Sequence, residues 1–332
     1  MKAVVVSEFG GPEVLRLVDV PEPHAGPGQI RIRVHAATVN PADIVVRMGL
    51  AESLFADNVA RPYRLGSEAA GVVDEIGPGT DTDLKIGDHA MAILVAFMPP
   101  GGAYAEYLVL DPRQVVRAPA GSSHAEAATL PVNGMTAQQG LDLLSLGSGD
   151  WLAVTGAAGA VGGYAVQLAK AIGLRVVADA APDDADLLRS LGVDCVIARG
   201  TGVAERIRGA VPGGVSGVFD AALIGAEVLP AIRTGGQLVV ARRSDLHGAP
   251  SLGDTRDITV HEVFVPEYLY ERDKLDALRV FAEKGQLSLR PRCVTVGGEE
   301  ADLVCPGRVW VLGLEGPHGA GLVHRPKWAE PG

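Results

Sequence analysis

The stretch from Trp151 to Gly192 constrains the fold more than any other part of this 332-residue chain. Leu152 to Thr155 is a short apolar run that reads as a buried strand. A glycine-spaced turn follows, Gly156-Ala157-Ala158-Gly159-Ala160-Val161-Gly162. Tyr164, Val166, Leu168, Ala169 and Ile172 then recur at helical spacing, and Arg175 to Asp179 reads as a second strand. Strand, glycine-rich turn, helix and strand in that order form a βαβ unit that holds a dinucleotide. Gly156 permits the tight turn. The small middle residues Ala158, Gly159, Ala160 and Val161 let the backbone approach a pyrophosphate, and Gly162 lets the helix pack closely. The helix N-terminus offers free N–H groups and partial positive charge to the phosphates. Asp179 closes the second strand, where an acidic residue completes the motif. Gln167 and Lys170 fit an exposed helix face as well as a motif.

The remaining chain divides by pattern. Residues 1–122 read as mostly β. Ala3–Val6, Val14–Val18 and Ile30–Val34 alternate or run apolar, bounded by Pro and Gly clusters such as Pro21 to Gly28. From residue 123 to 285 the pattern is βα, with strands expected at Cys195–Ile197, Gly217–Ala221, Gln237–Ala241 and Ile258–Val265 and a helix at Lys274–Gly285. The predicted class is α/β: a β domain at 1–122, with 286–332 a candidate to rejoin it, and a doubly wound parallel sheet at 123–285. Gly307–Leu312 can supply a closing strand, the segment between Arg290 and Cys305 shows no helical pattern, and the tail from Glu315 fits an unpacked arm.

A net charge of −11 argues against nucleic acid and anionic membrane as partners. Ala90–Met98 is too short to span a bilayer, and Met1–Val6 is too short for a signal-peptide core. The cysteines, Cys195, Cys293 and Cys305, lie far apart and read as reduced thiols of a cytoplasmic protein.

Gly149-Asp150, Ala157-Ala158-Gly159, Gly162, Gln167 and Lys170 together resemble the signature of the medium-chain dehydrogenase/reductase superfamily, in its zinc-independent quinone-oxidoreductase (zeta-crystallin-like) branch. Ala160 departs from it, standing where the second glycine usually is. Upstream, Asn40-Pro41-Ala42-Asp43, Leu65 to Val73, Asp83 to Asp88 and Gly101 to Val109 follow in the order of that superfamily's GroES-like domain. The resemblance covers roughly the first 285 residues and implies a GroES-like β domain joined to a Rossmann-type domain, with the cofactor in the cleft between them. It also implies a homodimer paired through the Ile258–Val265 sheet edge, an expectation that exposed edges support. Asn133 and Thr136, in Pro131-Val-Asn-Gly-Met-Thr, line the cofactor cleft in relatives. They serve equally well as helix caps.

Zinc divides the superfamily. A catalytic zinc needs three Cys, His or carboxylate ligands and an open position. Asn40 stands near the place where zinc-dependent relatives have Cys, Ser67 stands where they have His, and no cysteine precedes Cys195. No metal is expected. The chemistry then falls to a nicotinamide, NADP(H) or NAD(H), delivering hydride to a small-molecule quinone or α,β-unsaturated carbonyl. Asn40 is the candidate donor to a developing oxyanion, Asp43 orients the loop or cofactor, and the Asn-Pro pair also suits a plain turn. Glu68 reads as a structural partner. A trans-acting enoyl reductase is an alternative, weakened because Arg47 to Glu52 lacks the tyrosine such relatives often carry. A non-redox cyclase or isomerase, or a nucleotide binder, are further alternatives on the same fold.

The cofactor preference is open. NADPH-using relatives often have Ser where Ala181 stands. Asp179 favours the ribose hydroxyls of NADH and repels a 2′-phosphate. Arg199, with Arg242 and Arg243 as further candidates, could offset that repulsion.

Overall fold

A computed structural model describes residues 1–244, 251–255, 257–290, 292–294 and 310–313, the last two stretches as backbone. The chain separates into two compact units. Unit 1 takes Met1–Val132, Leu269–Val280 and the described residues from Leu289 on. Unit 2 takes Asn133–Tyr268 and Phe281–Ser288.

Unit 1 is built on antiparallel strands. β1 (Lys2–Val6) pairs with β2 (Leu15–Asp19) and later with the two-residue β4 (Tyr63–Arg64). The larger sheet centres on β3 (Ile30–Val39), β5 (Glu68–Ile76), β6 (His89–Ile93), β7 (Tyr107–Leu110) and β8 (Val115–Arg117). In β3 the alternation of Ile30, Ile32 and Val34 with arginines puts the aliphatic residues into a fully closed core beside Val73, Leu108 and Val115. α1 (Pro41–Arg47) follows β3 directly, and α2 (His124–Ala128) opens on a Ser123–Glu126 capping box. The expected closing strand is present. β16 (Trp310–Gly313) runs antiparallel to β3, Trp310 opposite Val39, and β15 (Arg292–Val294) pairs with it in parallel. The expectations for the rest of 290–332 lie outside the described residues.

Unit 2 is a six-stranded sheet in which every pairing is parallel. Its strands are β9 (Trp151–Thr155), β10 (Arg175–Ala180), β11 (Cys195–Ala198), β12 (Val215–Asp220), β13 (Ile232–Val240) and β14 (Thr259–Glu262). Their order, β11-β10-β9-β12-β13-β14, is the doubly wound Rossmann arrangement. α3 (Pro131–Leu144) enters this unit at Asn133 and packs on the sheet where Gly140 meets the Phe219 ring. α4 (Ala160–Ala171), α5 (Ala185–Ser190) and α6 (Val203–Ala210) make the crossovers, and α7 (Arg272–Glu283) follows β14 in the chain. β9 is apolar up to Thr155, and β12 is buried at every position, because both faces of a parallel sheet are covered.

Among the strands of unit 2, two boundaries differ from expectation by three residues or more. β14 stops at Glu262, because the chain turns at Val265–Tyr268 into a short 3-10 helix containing Pro266, which has no N–H to extend a ladder. β13 starts five residues before Gln237: Arg233, Thr234 and Gly235 are exposed and carry no apolar signal, yet their backbone continues the strand. No helix among the described residues is long and apolar enough to cross a membrane.

Candidate functional site

The strand order of unit 2 reverses between β9 and β12, so the loops after these two strands flank the switch point where open α/β sheets bind ligands. The β9 loop is the glycine turn. Gly156 has φ +64°, a conformation L side chains rarely adopt. α4 begins at Ala160, inside the expected turn, and Gly159 caps it with no side chain. The first N–H groups of α4 lie at this turn, beside side chains no larger than valine. Gly162 lies in the first turn of the helix. A Cβ there would sit 2.8 Å from the Gly156 carbonyl carbon and 2.9 Å from Ala157 Cα, and would clash with the Gly156 oxygen. The close approach is thus between the helix and the turn. Ala160 at the usual second glycine is accommodated as the first helical residue.

Asp179 comes to the same place from the end of β10. It is buried, and its Oδ1 accepts the Gly156 N–H at 2.9 Å. Burial raises its pKa above the usual carboxylate range. The Gly156 hydrogen bond and the Arg199 charge oppose that shift, and Asp220 adds to it. Arg199 follows β11. Its backbone N–H donates to Ala180 and its half-exposed guanidinium lies 3.8 Å from Asp184, a long and loose contact. Ala181 caps the short turn at Pro182–Asp184 and has no side-chain donor. Arg243 stacks over Phe264, and Arg242 is half-buried.

The loop after β12 is held by two strand-end residues to which sequence patterning assigns no role, Asp220 of β12 and Thr155 of β9. Asp220 is fully buried. It accepts the Thr155 hydroxyl at 2.6 Å, the Ile224 N–H at 3.1 Å and the Gly225 N–H at 2.8 Å. Thr155 in turn accepts the Ala222 N–H at 3.1 Å. This clamp holds Leu223 at φ +58° and presses Ala222 against Gly156, where a Cβ would lie 3.1 Å from the Ala222 nitrogen. The clue in the sequence was an acid at the C-terminal end of a buried strand. Asn133 and Thr136 are buried in the first two turns of α3.

The substrate-side candidates, Asn40 and Asp43, belong to unit 1. Asn40 is the N-cap of α1, and Asp43 returns the contact by accepting the Asn40 N–H at 2.7 Å. Asp43 also accepts the Gly66 N–H and the Tyr104 hydroxyl, both at 3.0 Å. Burial pushes its pKa to about 6 against those hydrogen bonds. The Asn40 amide is engaged within the protein. Its Nδ2 is directed to Thr38 Oγ1 at 2.9 Å and Glu68 Oε1 at 3.0 Å, so both amide protons brace the turn. The Asp43 carboxylate thus ties the start of α1 to Gly66 and Tyr104. Glu68 is completely buried, accepts also from Thr38 and from the Val132 N–H at 2.6 Å, and is pushed up to about 7, chiefly by burial.

Comparison with known proteins agrees with this geometry. Residues 26–120 match the family described as alcohol dehydrogenase GroES-like domain, and residues 160–263 match that described as zinc-binding dehydrogenase. The chain belongs to the medium-chain dehydrogenase/reductase superfamily. Within it, the chain is consistent with the zinc-independent branch. Quinone oxidoreductases are among the solved structures it resembles. A mycocerosic acid synthase-like polyketide synthase of Mycobacterium tuberculosis is 34% identical over 228 residues, which cover 67% of this chain and 10% of that protein. Component PikAII of the pikromycin polyketide synthase of Streptomyces venezuelae is 41% identical over 175 residues, 52% of this chain and 4% of that protein. The chain thus spans about a tenth or less of the length of these curated relatives. Among solved structures, an NAD-dependent alcohol dehydrogenase matches with a TM-score of 0.79 and 26% identity, over 95% of this chain and 100% of that one. A quinone oxidoreductase from Coxiella burnetii matches with a TM-score of 0.76 and 27% identity, over 95% and 99%. A mycobacterial protein complexed with NADPH matches at 0.74 and 25%, over 88% and 92%.

Proposed function

We propose that this superfamily member is an NAD(P)H-dependent, metal-independent reductase acting on a quinone or an α,β-unsaturated carbonyl. The observation that carries this is the pairing, at the switch point of the parallel sheet, of the α4 N-terminus with a glycine turn pinned by Asp179. A dinucleotide fits these residues. The small side chains from Gly156 to Gly162 leave the backbone open to phosphates, the α4 N-terminus supplies N–H donors, and the Asp179 carboxylate suits a ribose hydroxyl. When bound, a reduced nicotinamide supplies hydride. The protein's own contribution is to hold and orient. The Asp220–Thr155 clamp fixes the wall beside Gly156, and Asp43, Tyr104 and Glu68 fix the Asn40 turn. Because the Asn40 amide is engaged, the donor for a developing oxyanion comes from another group or from water.

Two named similarities bear on substrate. The quinone oxidoreductase neighbour supports a quinone. The polyketide synthase relatives support a second reading, reduction of an α,β-unsaturated thioester carried on a synthase. Pairing of two copies through the β14 edge is proposed with either. The test is oxidation of NADPH and NADH in the presence of a simple quinone, an enone and a crotonyl thioester. Turnover of the quinone alone supports the first reading, and turnover of the thioester alone supports the second. Cofactor binding with no turnover on any of them favours a non-redox protein.

A further inference from the structure

The side chain of Glu68 is buried at the base of β5, and no step of the proposed reduction uses it as a reactant. Three elements distant in sequence converge on its carboxylate. Thr38, at the end of β3, donates its hydroxyl to Oε1. Asn40, the N-cap of α1, donates Nδ2 to the same oxygen at 3.0 Å. Val132, in the first turn of α3, donates its N–H to Oε2 at 2.6 Å. Each of these three groups donates, which suits an ionised acceptor-only carboxylate. Its charge also lies at the N-terminus of a fourteen-residue helix, where an anion is favoured.

We propose that Glu68 is a positioning residue that locks the Asn40–Asp43 turn and the first turn of α3 to one carboxylate. α3 carries Asn133 and Thr136 in the two turns that begin at this anchor. The consequence for turnover rests on the reductase reading, whereas the locking itself does not. Protonating Glu68 reverses the Thr38 contact and reduces the Val132 bond from charge-assisted to neutral, roughly halving its strength. The group is poised for that change because burial and the Asp43 charge raise its pKa to about 7. Among the described residues, the charges of Asp43 on α1 and of Tyr104 interact with Glu68. α2, which also packs on β5, contributes His124 and Glu126, and β6 contributes His89. Glu126 is engaged with Ser123, and the His124 ring lies between those of His35 and His89.

The experiment compares the full chain with Glu68→Gln and with the polarity-inverted pair Asn40→Asp/Glu68→Gln. A glutamine at position 68 keeps one acceptor oxygen but turns an NH2 toward donors, whereas the carboxylate introduced by Asn40→Asp can accept from that NH2. Amide hydrogen exchange at one pH is read by mass spectrometry over residues 40–47 and 131–136. The expected result is faster exchange in both segments in Glu68→Gln, by about tenfold, and recovery of protection in the double variant. Faster exchange confined to residues 68–76, or unchanged exchange in either distant segment, overturns the proposal, as does a double variant no better protected than the single one. If the parent oxidises reduced nicotinamide, Glu68→Gln should lower kcat about tenfold and lose the pH inflection near neutrality. An unchanged kcat and pH profile beside altered exchange overturns the catalytic half alone. A parent that turns over no substrate refutes the reductase reading and leaves the exchange result to decide the lock.

Discussion

Asp179→Asn separates two jobs that one carboxylate performs. Oδ1 of Asp179 holds the Gly156 N–H at 2.9 Å, and an asparagine oxygen keeps that bond. What the substitution removes is charge. A carboxylate within a few ångströms of a 2′-phosphate is repelled by about 1–4 kcal/mol, depending on how much water screens the pair. Arg199 offsets part of this. Its guanidinium is half-exposed and 3.8 Å from Asp184, a contact loose enough to let it swing toward a phosphate. We therefore expect the ratio of NADPH to NADH affinity to rise about tenfold in Asp179→Asn, equivalent to about 1.4 kcal/mol. Asp179→Ser should give a similar ratio with weaker binding of both cofactors, because the shorter side chain releases Gly156. Fluorescence titration with each reduced cofactor measures the constants. The raised pKa of Asp179 adds a signature: as pH falls, the parent carboxyl is neutralised in the folded protein and its NADPH to NADH ratio rises, while the ratio in Asp179→Asn stays flat. An equal ratio in parent and Asp179→Asn at neutral pH would refute the assignment of Asp179 to the ribose.

Three further outcomes follow from the contacts. Gly162→Ala should destabilise the protein by about 1–3 kcal/mol and abolish nicotinamide binding, because its Cβ meets backbone at 2.8 Å and 2.9 Å; thermal unfolding and the same titration check this. Asp220→Asn keeps one acceptor oxygen and turns an amide toward donors, so the β12 loop should loosen, with about 1–3 kcal/mol lost and a raised KM for cofactor; unchanged KM would show that the loop does not shape the site. Glu68 titrates at about 7 in the folded protein and near 4.5 when unfolded, so its contribution is fully present below about pH 4.5 and is lost as pH rises through 7. The stability of the parent relative to Glu68→Gln should therefore fall by about 3 kcal/mol across that window, read from denaturant unfolding at each pH.

The β9–turn–α4–β10 unit was legible because its signals are local: an apolar run, glycines at a fixed spacing, a 3.6-residue period and an acid at the next strand's end. Asp220 was legible only as the end of a strand. Its role depends on Thr155, 65 residues upstream, and on backbone N–H groups whose direction follows from the left-handed Leu223. β13 was seen from Gln237 onward because Arg233 to Gly235 are exposed and β12 shifts register between Val215 and Gly217. Asn40 stands before a short helix in the sequence pattern, but its amide could not be oriented from sequence. The partners that decide it, Thr38 and Glu68, meet it only when β3 and β5 pair with Ala37 opposite Ala69. The two-residue β4 carries no period to detect.

The central claim is hydride delivery from a nicotinamide by residues that need no metal. The measurement that tests it most directly is single-turnover oxidation of NADPH or NADH by the full chain with a quinone, an enone or an unsaturated thioester, with and without saturating chelator. The account predicts oxidation at the same rate in both conditions with at least one acceptor, and its loss in Gly162→Ala. A rate abolished by chelator and restored by zinc, or tight nicotinamide binding with no oxidation by any acceptor, would contradict it.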